Sequence, residues 1–113
     1  MLQAGLDSAA LQAKLFRGLG DPNRLGLLRA LRGGPRTVGE LVAATGLSQP
    51  NASNHLACLR ECALVRAQPD GRHVRYSLSN RKIARLLDTG ESLLADVAQE
   101  IYDCVNDGGI RRG

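Results

Sequence analysis

Cys58, Cys62 and Cys104 are the residues of this chain best suited to chemistry. Cys58 and Cys62 stand four residues apart in Leu47-Ser48-Gln49-Pro50-Asn51-Ala52-Ser53-Asn54-His55-Leu56-Ala57-Cys58-Leu59-Arg60-Glu61-Cys62, a segment that opens with a serine suited to cap a helix. On a helix, positions i and i+4 are neighbours on one face, with Cβ atoms about 5–6 Å apart. Two thiolates so placed can reach one metal ion. A wheel drawn at ~100° per residue gathers Ala52, Leu56, Leu59 and Ala63 into a stripe expected to face a core. Cys58 and Cys62 then lie roughly 120° from its centre, on the side shared by Asn51 and His55.

Free cysteine is also one of the most buried residue types and can simply fill space. The face argument favours a ligand or reactive pair over filler, and both readings stand at this point. A redox disulfide between Cys58 and Cys62 is the alternative use of the same thiols. It is awkward because an i,i+4 pair on an intact helix has a Cα separation near the upper limit for a disulfide. Thiolates select soft ions: cadmium and lead fit, zinc is compatible, and hard ions such as magnesium do not fit. Such an ion would be a signal, and none is required for folding. His55 and His73 suit a polar or DNA-proximal surface better than a metal site.

The elements that must position these residues follow from the apolar spacing. Helices are expected from about Asp7 to Leu19, from Asp21-Pro22 to a stop at Gly33-Gly34-Pro35, and from the Thr37-Val38-Gly39-Glu40 capping box through Ala44. A fourth runs from Ser48 to about Ala63. Leu64–Gln68 and Val74–Leu78 read as strands joined around Asp70-Gly71, a strong hairpin signal. Ser79 or Asn80 then caps a long last helix with apolar residues at Ile83, Leu86, Leu87, Leu94, Val97 and Ile101. The order ααααββα predicts a mainly α winged helix-turn-helix forming one domain over residues 1–113, with a flexible tail from about 107 to 113. The first helix and the last, about 7–19 and 80–105, carry more apolar surface than so small a core needs. They are expected to pair across a two-fold axis in a homodimer.

Composition sets the remaining bounds. The chain has 113 residues, a formal net charge of +4 and 43% hydrophobic residues, which suits one globular domain with an anionic partner. No apolar run is long enough to span a membrane. The first residues show no basic stretch followed by a long apolar one, so a cytoplasmic location is expected, with reduced thiols. An enzyme is not expected: no Cys-x-x-Cys motif, Gly-rich phosphate loop or base paired to a nucleophile is present. Double-stranded operator DNA is the expected partner. Ser48, Gln49, Asn51, Ser53 and Asn54 offer neutral donors and acceptors suited to base edges. Arg72 and Arg75 in the hairpin suit phosphate or a minor groove.

Leu19-Gly20-Asp21-Pro22-Asn23-Arg24-Leu25, Leu47-Ser48-Gln49-Pro50 with Ser53-Asn54-His55-Leu56, Leu59-Arg60, Leu64-Val65 and Gly71–Leu78 together resemble the ArsR/SmtB family of metal-responsive winged-helix repressors. The resemblance spans roughly residues 10–105. It implies a dimeric repressor that binds its operator when metal-free and releases it on binding metal, and it favours Gln49 and Ser53 as base readers. Family members that sense through a third-helix cysteine pair differ here, since Glu40–Ala44 contains no thiol. Members that bind zinc, cobalt or nickel between the last helices use histidine, which this last helix lacks. The stretch Ser53–Cys62 is similar to that of the cadmium/lead-sensing members. That similarity implies Cys58 and Cys62 as two ligands, and Cys104 as a third supplied by the partner subunit.

Overall fold

The computed structural model describes residues 7–106; the tail expected at about 107–113 lies outside them. Eight elements follow one another: α1 (Ser8–Leu19), α2 (Pro22–Ala30), β1 (Arg36–Thr37), α3 (Val38–Thr45), α4 (Gln49–Glu61), β2 (Val65–Asp70), β3 (His73–Leu78) and α5 (Arg81–Asn106). They form a winged helix-turn-helix. The expected order holds, with one addition. The two-residue β1 joins the edge of the hairpin, pairing Arg36 with Tyr76 and Thr37 with Arg75, so the sheet order is β1-β3-β2.

Side-chain caps set the helix starts. Asp7 accepts the amide of Ala9, and Asp21 accepts those of Asn23 and Arg24 at 3.0 Å each. Thr37 and Glu40 exchange hydrogen bonds of 2.9 and 3.2 Å in the expected capping box. Asn80 caps α5 through a 2.8 Å bond to the Lys82 amide. Arg24 lies across the end of α1, donating to the carbonyls of Gly18 and Arg17 at 3.0 and 3.1 Å, where a cation is favoured.

The core is almost wholly leucine. Leu27, Leu28 and Leu31 meet Leu41, Ala52, Leu56 and Leu59, with Leu64 and Val65 beneath the sheet and Ile83 and Leu87 from the base of α5. Each fully buried leucine contributes about 1.5–3 kcal/mol, which fixes how α4 is rotated. The hairpin turns through Gly71 and Arg72 between the paired Asp70 and His73. Gly71 has φ 63° while Arg72 stays at negative φ, the pattern of a II′ turn.

The end of α4 corrects the sequence reading. The helix stops at Glu61, Cys62 is its cap, and Ala63 is exposed at φ 62° rather than lying on the core stripe. The Ala63 amide donates to Arg60 and the Leu64 amide to Leu59, both at 2.9 Å. This is a Schellman ending with alanine where glycine is usual. Wheel extrapolation fails beyond it: Cys62 packs against the core, whereas Cys58 remains on the side of the helix.

α5 is anchored only at its base. Ile83 and Leu87 are buried, and three ion pairs bind the next turn to α2 and the turn that follows it: Arg29–Glu91 at 3.1 Å, Arg32–Asp88 at 2.8 Å and Arg32–Glu91 at 3.0 Å. The hydrogen bond from Arg32, with the charges of Arg32 and Arg29, holds the Glu91 carboxyl below its usual range. Farther along, Leu93, Leu94 and Ile101 are 59%, 50% and 47% exposed.

Two predictions follow from these contacts. A left-handed non-glycine residue costs about 1–2 kcal/mol, partly offset in Ala63→Gly by the freer unfolded chain. Ala63→Gly therefore stabilises by up to about 1 kcal/mol, read as a higher urea midpoint at fixed protein concentration; an unchanged or lower midpoint refutes the strain. Glu91, with its pKa depressed on folding, contributes stability above the ordinary glutamate value of 4.5 that is lost as pH falls through its folded value. Glu91→Gln thus lowers the melting temperature at pH 7, and its gap from the unaltered protein closes in acid. A gap that stays constant with pH would mean the ion pairs contribute nothing.

Candidate nucleic-acid interface and thiol site

Burial of Ala52, Leu56 and Leu59 turns the opposite side of α4 to solvent. Ser48, Gln49, Asn51, Ser53 and Asn54 are all exposed. Ser48 is the helix cap, its hydroxyl accepting the Asn51 amide at 3.2 Å. Gln49 and Ser53 are one turn apart, as are Asn51 and Asn54, so the polar residues form a continuous surface over the first turns. The turn leading into α4 depends on Gly46 at φ 78°, a left-handed helix ending. Within that turn, Thr45 accepts the Leu47 amide at 3.3 Å.

The two hairpin arginines expected to meet DNA, Arg72 and Arg75, differ. Arg72 is exposed at the turn. Arg75, on β3, is half-buried and hydrogen-bonded to Asp70, with Glu40 at 3.7 Å. Its pKa is raised by the Asp70 bond and charge, and then by Glu40. Two carboxylates therefore already share the Arg75 charge. The carboxyl of Asp21 is held below its usual range, first by the Arg24 amide and then by the charges of Arg24 and His55.

Cys58 and Cys62 are free thiols, partly accessible and separated by one helical turn, with the Cys62 amide bonded to the Cys58 carbonyl at 3.0 Å. Cys104 is a third partly accessible thiol, three residues after Ile101 and seven after Val97. That spacing puts it on the apolar side of α5. There Phe16, Leu19, Leu86, Leu94, Val97 and Ile101 line a groove of about 420 Å³. Among the described residues of one chain, no three His, Cys, Asp or Glu side chains come together to hold a metal.

Residues 21–67, from the cap of α2 into β2, match the model for bacterial regulatory proteins of the arsR family. The chain is 42% identical over 92 residues to a probable mercury resistance operon repressor of Streptomyces lividans, covering 81% of this chain and 74% of that protein. It belongs to the ArsR family. The HTH-type transcriptional regulator CmtR of Mycobacterium tuberculosis is 47% identical over 87 residues, covering 77% of this chain and 73% of the relative. An NMR structure of the cadmium metal-sensor CmtR from M. tuberculosis superposes with a TM-score of 0.61 at 48% identity, over 68% of this chain and 80% of that one. A homodimeric winged helix-turn-helix DNA-binding domain from Mycobacterium bovis, a possible ArsR-family regulator, superposes at 0.72 with 28% identity, over 87% of this chain and 94% of that one. This ArsR-family chain is a DNA-binding transcriptional regulator and not an enzyme. Among the described residues, no helix is long and apolar enough to cross a membrane.

Sequence reasoning missed the partners that hold these side chains in place. The ion pairs of Arg32 with Asp88 and Glu91 join residues 56 or more positions apart, and no local pattern announces them. The same holds for Ser79, whose hydroxyl donates to the Ala63 carbonyl at 2.6 Å. Of the two cap positions that the sequence offers α5, Ser79 and Asn80, Asn80 takes the role.

Proposed function

We propose that this protein is a cytoplasmic homodimeric repressor that binds operator DNA when metal-free and releases it when a thiophilic ion, cadmium or lead with zinc also compatible, binds Cys58, Cys62 and Cys104. The observation that carries this reading is the pair of accessible thiols one turn apart at the end of the helix that presents the DNA-facing residues. A soft ion held by two sulfurs alone remains open to water; a third thiolate closes the site. Cys104 is the remaining thiol, and it lies on the apolar side of α5 rather than beside the pair. Supply from the partner subunit fits that placement.

Dimerisation through α1 and α5 is supported by Phe16, Leu86, Leu94 and Ile101, which are exposed along one groove. The radius of gyration, 16.3 Å, also exceeds the ~13 Å of a compact chain of this length. The names of the cadmium sensor and the mercury operon repressor lend support to a metal signal. Gln49 and Ser53, with Ser48, Asn51 and Asn54 around them, read bases. Arg72 contacts phosphate, while Arg75 contributes less because Asp70 and Glu40 already pair with it. Metal and DNA then weaken each other's binding by the same factor.

Three experiments test this reading. Cys58→Ser and Cys62→Ser each keep DNA binding and lose the cadmium response; release at unaltered cadmium concentrations by either variant rejects the thiol site. For sharing between subunits, chains carrying Cys58→Ser and Cys62→Ser are mixed with Cys104→Ser chains. The mixed dimer regains one tight site if Cys104 crosses the interface, and none if each chain builds its own. On the DNA side, Gln49→Ala costs roughly 1–3 kcal/mol of specific binding. Arg72→Ala reduces the salt slope by about one unit, and Arg75→Ala by less. Equal slope losses for the two arginines would reject the distinction between them.

A further inference from the structure

Cys62, the cap of α4, is followed at once by the one non-glycine residue at positive φ among the described residues, Ala63. Three hydrogen bonds hold that peptide. Its amide donates to Arg60, the next amide donates to Leu59, and its carbonyl accepts the Ser79 hydroxyl at 2.6 Å. Ser79 also donates its own amide to the Leu64 carbonyl at 3.1 Å. One residue on, Asn80 caps α5, its side chain accepting the Lys82 amide and its carbonyl the Ile83 amide. Ile83 lies in the same core as Leu59 and Leu64. Ser79 therefore joins the end of the DNA-facing helix to the start of α5 by side-chain and backbone hydrogen bonds, beside the shared core and the pairing of Val65 with Leu78.

Two opposing terms meet at the Cys62–Ala63 peptide. A Cys62 side chain drawn towards a metal pulls on the Cys62–Ala63 peptide. Alanine gains by leaving the left-handed region but gives up the hydrogen bonds that hold it there. A displacement of this peptide would be felt first by Ser79, which bonds the carbonyls of both Ala63 and Leu64. We propose that Ser79 is a positioning residue for the metal response: its hydroxyl bond to Ala63 couples the thiol end of α4 to α5. The inference rests on the thiol-site reading above. It adds the route by which occupancy of Cys62 reaches the α5 helix that the proposed dimer shares.

The test uses the full chain and cadmium as probe. Ser79→Ala removes the hydroxyl and keeps the amide bond to Leu64; Ser79→Thr keeps both. DNA affinity is measured without metal and at saturating cadmium, and cadmium affinity from thiolate-to-metal absorption. Ser79→Ala should hold metal-free DNA affinity and cadmium affinity within about threefold, while the ratio of loaded to metal-free DNA dissociation constants falls at least tenfold. Ser79→Thr should retain that ratio. A Ser79→Ala ratio equal to that of the unaltered protein overturns the proposal, as does a Ser79→Thr loss as complete as that of alanine. Should Ser79→Ala fold poorly, amide exchange in the unaltered protein decides. Cadmium should change exchange at Leu64 and across Arg81–Ile83, and an unchanged first turn of α5 overturns the coupling. An unaltered protein that binds cadmium without losing DNA affinity overturns the thiol-site reading as well, and that outcome is distinct from a failure of Ser79 alone.

Discussion

The rotation of α4 about its own axis is the constraint on which the rest of the structure depends. Ala52, Leu56 and Leu59 are completely buried against α2 and α3, and turning the helix by one residue would bring at least one leucine into water. Everything presented outward follows from that choice. The polar side chains of the first turns face away from the core, and Cys58 is carried to the flank. The leucine core thus performs the orientation, and the exposed residues need no interaction of their own to hold their direction.

Most of this was readable from the sequence because it is encoded locally. Caps at Asp21, Thr37 and Ser48, stops at Gly20 and Gly46, and the Asp70-Gly71 turn each act within a few residues. The errors lie where distant parts meet. Ala63 fitted a helical wheel, yet the chain leaves the helix at Cys62 to begin the sheet, so one thiol of the pair packs on the core and the other does not. β1 is too short to signal itself and exists because β3 offers an edge. Arg75 resembled Arg72 in the sequence, but only the folded sheet brings Asp70 and Glu40 to it.

Charge is distributed more narrowly than the net value of +4 implies. Arg29, Arg32 and Arg75 are each paired with carboxylates in the fold. They stiffen the attachment of α5 and of the hairpin instead of adding to an attractive field. Exposed pairs of this kind contribute little each, but a shared carboxylate such as Glu91, gripped by two arginines, resists sliding of α5 along α2.

The half-anchored α5 has a consequence for how the molecule behaves at low abundance. Beyond Leu87 no residue of the described helix is buried within its own chain, and a helix without packing is marginal in water. In the proposed dimer the outer turns are therefore ordered by the act of pairing, and their folding free energy is part of the association energy. Cys104 sits within those turns. Its position is then a property of the assembled pair, so a dilute, newly made subunit would lack not only its DNA-binding partner but also a defined place for its third thiol. Sensing competence would rise with the protein's own concentration.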